Sequence, residues 1–398
     1  MGPMGTRGHF DVVIVGGGLV GAAFAAALGD AALDIALVES RAPRASMVQD
    51  GDWDARVYAI SPASRQFLST IGAWDALDPG RLTPIHRMQI FGDDAAADIV
   101  FDALATGVPE LAWIVEDGAL QTALGRLLGQ QKNLRVFCPA QCEMLNRDDG
   151  ANALALNDGT RITADLIVGA DGAQSWLRTA AGVESTDRAY LQQGVVANFS
   201  AERPHGGTAY QWFRPEGTLA YLPLPGQRIS IVWSAEEHYA KELMALPPME
   251  LARRAADAGC QVLGELESIT PARAFPLRLI TVASGVAPGL ALIGDAAHVV
   301  HPLAGQGVNL GFADARALAS VLIGRETFRS CGDSRLLRRY ERGRREQHVA
   351  IQWATDGLQR MFSSDSRLVR QLRNRGLELT DALPVVKNLL TRQALGIF

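Results

Sequence analysis

Cysteine is scarce in this chain. Its 398 residues hold four, Cys138, Cys142, Cys260 and Cys331. Only the first two are close, in a C-x₃-C spacing, and no second cysteine or histidine pair completes a zinc set, so no metal site is expected. The bland reading, reduced cysteines in a cytosolic protein, is the expectation. Basic charge is also lacking: 38 Lys and Arg stand against 43 Asp and Glu, for a net charge of −5. That balance excludes the electrostatic footprint of a nucleic-acid-binding protein. Long apolar runs are missing too. Val12 to Leu28 comes nearest, but Asp11 and Asp30 bound it closely and Gly16, Gly17, Gly18 and Gly21 interrupt it. It reads as neither a signal peptide nor a membrane span. What remains, 48% hydrophobic and 20% charged, is a globular chain long enough for two domains or one large interleaved one.

The organising stretch is Leu290 to Gly311, LALIGDAAHVVHPLAGQGVNLG. Leu290 to Ile293 is a short apolar run that fits a buried strand. Gly294-Asp295 breaks it and sets a carboxylate at the strand's carboxyl end. A loop with two histidines and Pro302 follows. Gly305-Gln306-Gly307 then opens a helical pattern that runs to about Ile323. The carboxylate suits a polyol's hydroxyls, and the free N–H groups of the helix start suit negative charge.

Near the N-terminus, after a leader over residues 1–9, Phe10 to Val15 is a buried strand. Gly16-x-Gly18-x-x-Gly21 enters an Ala-rich helix to about Leu28, and Ile35 to Val38 is a second strand ending in Glu39. This is the dinucleotide fingerprint in its required context of strand, glycines, helix, strand and acid. Glu39 falls close to the offset of about 20 residues expected for a ribose ligand, and an acid there suits FAD or NAD better than a 2′-phosphate.

Residues 41–53 read as a loop. Asp54-Ala55-Arg56 leads to a helical segment, Ser61 to Trp74, with Ser61 as N-cap and Pro62 at its first position. Arg56 is equally a phosphate contact or a solvated loop residue. Short strands follow at 87–91, 99–101 and 112–115, then a helix from Asp117 to Leu128 carrying Gln121. Further strands surround Val136, Glu143 and Leu154. Asp165 to Ala170 is a buried strand ending in Asp171-Gly172. Asp171 points into a ligand crevice on one reading and caps the next helix on the other. From Tyr190 to Ser234, strands separated by Pro/Gly turns read as an antiparallel meander. Its Trp212, Phe213, Tyr221, Leu222 and Trp233 either line an apolar cavity or form sheet core. Helices around 239–258 and a strand at 272–280 precede the organising stretch. Beyond Arg325 the chain is helical. The segment 336–362 carries Arg338, Arg339, Arg342, Arg344 and Arg345, a solvated charged face or a surface for an anionic membrane.

GxGxxG with Glu39, Asp171-Gly172 and Gly294-Asp295 before GQG together resemble the single-component FAD aromatic hydroxylases, the para-hydroxybenzoate hydroxylase group. DARVYAISPASRQFL (54–68), HPLAGQGVNLG (301–311), YERGRREQ (340–347) and RNRGLELTDALPVVKNLL (373–390) make the finer match, to the ubiquinone-biosynthesis hydroxylase family. The resemblance covers nearly the whole chain. It implies an α/β fold: a discontinuous Rossmann-like FAD domain (10–80, 105–182, 286–330) interleaved with an antiparallel-sheet substrate domain (81–104, 183–285), and C-terminal helices (331–398). It further implies that Gly16, Gly18 and Gly21, with Leu19 and Val20, hold the FAD pyrophosphate, and that Glu39 holds the adenosine ribose. Arg56 and Gln121 would be further FAD contacts. Asp171 would serve the cofactor and the nicotinamide donor, Asp295 the ribitol or pyrophosphate, and Pro302, Gly305, Gly307, Val308 and Asn309 the isoalloxazine edge.

The family takes NADH or NADPH transiently and adds oxygen at flavin C4a before transfer to the ring. The substrate it implies is a prenylated phenol or benzoquinol. No side chain stands out as a catalytic acid or base; His298 and His301 read as structural. Another flavin reaction and a flavin-binding scaffold subunit of a biosynthetic complex are the competing functions, and the WxWxIP stretch of halogenases is absent. A cytoplasmic protein is expected, with peripheral contact at the inner membrane left open.

Overall fold

The computed structural model describes residues 6–42, 53–92, 98–147, 152–300 and 307–346. Its first sheet is built on β1 (Thr6–Val15). Val12 and Ile14 of β1 enter one buried cluster and Val13 and Val15 another. Burial on both faces is what an unbroken β-branched run requires. β1 starts four residues earlier than the apolar pattern, because Thr6 and His9 already pair with Arg161 and Thr163. The leader is therefore strand from Thr6 on.

β2 (Ile35–Val38) and β11 (Arg161–Gly169) flank β1 in parallel, with β8 (Leu134–Phe137) beyond β2 and β19 (Leu290–Leu292) beyond β11. Antiparallel β18 (Val286–Ala287), β9 (Cys142–Asn146) and β10 (Asn152–Leu156) complete the sheet. Helices α1 (Leu19–Ala27), α4 (Asp117–Gln130) and α8 (Gly307–Ile323) pack on the face that carries Val12 and Ile14. Leu336, Leu337 and Tyr340 of a helix over residues 334–346 join that cluster.

The second sheet has the order β20-β17-β12-β15-β14-β13-β5-β6, with β16 (Leu266–Ser268) also on β12. Its strands are β5 (Arg87–Phe91), β6 (Asp98–Asp102), β12 (Ser185–Ala201), β13 (Thr208–Arg214), β14 (Gly217–Leu224), β15 (Arg228–Glu236), β17 (Arg273–Val282) and β20 (His298–Val299). Only β13, β14 and β15 form a simple meander. β12 lies beside β15, so the link to β13 crosses over. The buried middle of β12 needs a partner on each side, and β15 and β17 supply them. α6 (Glu237–Ala245) and α7 (Pro248–Ala258) cover the outer face. Trp212, Tyr221 and Trp233 are buried in that layer, and the Tyr221 hydroxyl donates to the Ala255 carbonyl at 2.6 Å. They are sheet core. Leu222, one position out of phase, packs on the inner face.

A small third sheet joins β3 (Val57–Ile60), β4 (Thr83–Ile85) and β7 (Ala112–Glu116). α2 (Pro62–Thr70) starts where expected, Ser61 Oγ accepting from the Ser64 amide, and stops at Thr70 rather than Trp74. Short helices α3 (Ala103–Thr106) and α5 (Trp176–Ala180) complete the layout. The arginine-rich helix is not wholly a solvated face: Arg338, Arg342 and Arg345 are exposed, but Arg344 is 4% exposed. Among the described residues no helix is long and apolar enough to cross a membrane. The loop at 43–52, the segment 301–306 and the tail motif lie outside the described residues.

Candidate functional site

Parallel pairing places the site residues in one row. Val15 is in register with both Val38 and Gly169, and Gly169 with Leu292. The residues that follow each strand therefore emerge along a single edge: Gly16, Glu39, Ala170-Asp171 and Gly294-Asp295. β1 and β2 run to one side of that edge and β11 and β19 to the other, which makes it the topological switch point of the sheet.

The glycines meet separate demands there. Gly16 has φ +102° and lies against the Ala170 carbonyl, where no β-carbon fits. Gly21 lies equally close to the Gly16 carbonyl, which lets α1 sit down on β1. Beside Gly18 the space is open, and as N-cap of α1 it offers no side chain to the first turn. The helix start is left with its N–H groups free for an anion. Leu19 is buried beneath that turn. Val20 packs against both Gly294 and Gly311 and so joins the fingerprint to the organising stretch.

Glu39 fixes the turn: its Oε2 accepts from the Gly17 amide at 2.6 Å and its Oε1 from the Arg41 amide at 2.8 Å. Asp171 stands at the same edge and braces the start of α5, whose N-cap is Ser175, accepting from Ser175 Oγ at 2.5 Å and from the Leu177 amide at 3.0 Å.

Asp295 is exposed while Gly294 and Ala296 on either side are buried. Protein crowds it closely even so. Burial pushes its carboxyl above the usual range, against the pull of His298 and Arg56. Asp295 thus reaches solvent at the sheet edge, with protein close on its other sides. Arg56 comes to the same edge from the β3 side, its guanidinium 5.3 Å from the Tyr58 ring centroid. Asp117 ties that side together: Tyr58 Oη donates to Oδ1 at 3.1 Å and Gln121 Nε2 to Oδ2 at 2.8 Å. Burial drives the Tyr58 hydroxyl far above its ordinary value. Asp54 Oδ1 accepts from the Arg56 amide and Oδ2 from the Gly118 amide, while the Asp54 carbonyl accepts from Asn198 of β12 at 2.9 Å. The second sheet thus touches the segment that presents Arg56.

Gly307 and Val308 open α8 and are half-buried. The Asn309 amide turns inward, Nδ2 donating to the Ala59 carbonyl at 2.8 Å and Oδ1 accepting from the Ser61 amide at 3.0 Å. Pro302 and Gly305 lie outside the described residues. Sequence reasoning missed Tyr58, Asp54, Asp117 and Asn198. Asp54 and Tyr58, both inside the DARVYAIS motif, carried a signal; Asp117 and Asn198 did not. A separate cavity of about 330 Å³ opens beside α2, lined by Arg65, Gln66 and Trp113 among others, and no site residue lines it. No metal-binding cluster occurs among the described residues.

An uncapped helix start, open space at Gly18, a carboxylate at the second strand and another at the same sheet edge fit a dinucleotide of the FAD type. Residues 9–354 match the FAD binding domain family model. The chain is 35% identical over 390 residues to a 3-demethoxyubiquinol 3-hydroxylase of Escherichia coli, covering 97% of this chain and 98% of that protein. It is 34% identical over 432 residues to the ubiquinone biosynthesis monooxygenase COQ6 of Drosophila melanogaster, covering 98% and 90%. Among solved structures, Pseudomonas aeruginosa PqsL in complex with 2-aminobenzoylacetate superposes with a TM-score of 0.79 at 23% identity, over 94% of this chain and all of that one. p-Nitrophenol 4-monooxygenase PnpA of Pseudomonas putida gives 0.77 at 18%, over 96% and 97%; at these identities the likeness shows the fold. The chain belongs to the FAD-dependent ubiquinone-biosynthesis hydroxylases, a family of aromatic monooxygenases.

Proposed function

We propose that the protein hydroxylates the aromatic ring of a prenylated phenol or benzoquinol on the route to ubiquinone, with NADH or NADPH as electron donor and O2 as co-substrate. The observation that carries this reading is the carboxyl edge of the parallel sheet, along which the glycine turn after β1, Glu39 after β2 and Gly294-Asp295 after β19 emerge in register. FAD, when bound, supplies the electron transfer and oxygen activation.

The chain's own residues do the rest. Gly16, Gly18, Leu19, Val20 and Gly21 present the start of α1 to the pyrophosphate. Glu39 presents its carboxylate to the adenosine ribose while anchoring the Gly17 and Arg41 amides. Arg56 and Gln121, oriented through Tyr58 and Asp117, face the cofactor from the β3 side. Asp295 accepts from its polyol chain. Gly307 and Val308, with Asn309 fixing the start of α8, meet the flavin edge together with Pro302 and Gly305. The N–H groups at that helix start favour negative charge on the ring system. Asp171, braced against the start of α5, serves the cofactor and the nicotinamide donor from the same edge. The sheet of β12 to β15 roofs the site and keeps water out, its inner face rather than its aromatic outer layer turned to the cofactor. The division into 10–80, 105–182 and 286–330 for FAD, 81–104 and 183–285 for substrate, and 331–398 for the C-terminal helices follows from this reading. Two strands cross that division: β4 pairs with β7, and β20 pairs with β17. The exposed Arg338, Arg342 and Arg345 give the helix over 334–346 a basic face for peripheral membrane contact.

The test is turnover of the FAD-loaded protein with a panel of short-tail prenylated phenols, under O2 with NADH or NADPH. Hydroxylated product in mass spectrometry is expected. FAD bound with no product across the panel rejects the substrate class.

A further inference from the structure

His298, Asp314 and Arg344 come from three separate elements and meet in the interior. Their side chains are 3%, 0% and 5% exposed. Asp314 Oδ2 accepts from His298 Nε2 at 2.5 Å and from the Gly294 amide at 3.0 Å. Its Oδ1 accepts from Arg344 Nε at 2.7 Å. Gly294 and His298 bracket Asp295, so one carboxylate holds the Asp295 turn from both sides. Arg344 also donates to the Leu310 carbonyl at 3.2 Å, and Tyr340, one turn earlier, donates to the Leu292 carbonyl at 3.2 Å. The helix over 334–346 therefore grips the strand before the turn and the helix after it.

We propose that Asp314, neutralised by Arg344, is an electrostatic positioning residue for the flavin: the buried pair fixes the Asp295 turn and sets the flavin's reduction potential. The inference rests on the carboxyl edge of the sheet being the FAD site. Among the described residues three donors converge on the two oxygens of Asp314, so an anion is selected. An amide offers one acceptor and would turn its NH2 toward a donor. A buried carboxylate in turn requires a fixed cation, which Arg344 supplies. Reduction adds negative charge to the flavin, so the sign of any uncompensated charge beside the Asp295 turn acts on the potential.

Opposite signs give the test. The two-electron midpoint potential and the FAD dissociation constant are measured on wild-type holoprotein and on the Asp314→Asn, Arg344→Gln and Arg344→Lys variants. Asp314→Asn removes a negative charge beside Arg344 and is expected to raise the potential. Arg344→Gln removes a positive charge beside Asp314, which keeps His298 and the Gly294 amide, and is expected to lower it. Both are expected to weaken FAD at least tenfold, and Arg344→Lys is expected to restore the wild-type potential in large part. Loss of folding alone cannot produce shifts of opposite sign. If Arg344→Gln cannot be loaded, the double variant Asp314→Asn/Arg344→Gln takes its place, and its potential must fall below that of Asp314→Asn alone. Shifts in the same direction, or none, overturn the proposal while leaving the FAD site standing. Wild-type protein that takes up no FAD overturns the site reading itself.

Discussion

Val20 and Gly311 set how closely α1 and α8 approach: a β-carbon added to Gly311 would lie 2.5 Å from Val20 Cγ2. That contact joins the N-terminal fingerprint to a helix almost three hundred residues later. Gly311→Ala is expected to cost about 1–3 kcal/mol of stability, the usual penalty of overpacking. FAD retention should fall with it. Denaturant unfolding of the apoprotein and FAD content after gel filtration check both.

Glu39 anchors the Gly17 amide at the sheet edge. Glu39→Ala is expected to weaken FAD by roughly 10- to 100-fold, from the loss of charge-assisted hydrogen bonds worth about 1.5–3 kcal/mol. Turnover at saturating FAD should change little. A titration followed by flavin fluorescence, beside kcat at high FAD, separates the two.

Arg81 and Glu116 form a bidentate pair at 2.7 and 2.9 Å, and Glu116 also accepts from the Asp54 amide at 2.7 Å. Glu116 is 3% exposed. Arg81→Met leaves that carboxylate buried without its cation. The expected loss is about 3–5 kcal/mol, read as a drop in the denaturation midpoint, and the segment presenting Arg56 should loosen with it.

Asp295 gives a dependence on pH. Its carboxyl is raised in the folded apoprotein by burial, with His298 and Arg56 opposing. The folded state therefore holds the proton more tightly than the unfolded state. Its stabilising contribution is complete below the ordinary aspartate value and is lost as pH rises through the raised folded value. Asp295→Asn should thus make the apoprotein more stable than wild type at neutral pH. The difference should vanish in acid, below the ordinary aspartate range. The same variant should bind FAD more weakly. Unfolding curves across pH with and without FAD give both answers.

How much of this was legible in the sequence depends on the range of the interaction. Gly16, Gly18 and Gly21 answer to local backbone demands, and the strands around them to burial on both faces, so both could be read from order alone. Ser61 and Pro62 marked a helix start for the same reason. The Asp117 bonds to Tyr58 and Gln121, the Asn198 contact with Asp54 and the Asp314–Arg344 pair join residues from different elements, and no periodicity records them. Arg344 was misjudged as part of a charged face because its buried partner lies on another helix. Tyr221 and Leu222 read alike in the sequence; alternation along β14 puts them on opposite faces, and which of the two meets the helices depends on α6 and α7 folding over one side.

The central claim is that Gly18, Glu39 and Asp295 hold one FAD. A crystal structure of the FAD-loaded protein tests it most directly, through the distances from those residues to the cofactor. The account predicts the pyrophosphate against the α1 N–H groups at Gly18, with the carboxylates of Glu39 and Asp295 within hydrogen-bonding reach of its hydroxyls. A cofactor bound away from this sheet edge, or touching only one of the three, would contradict it.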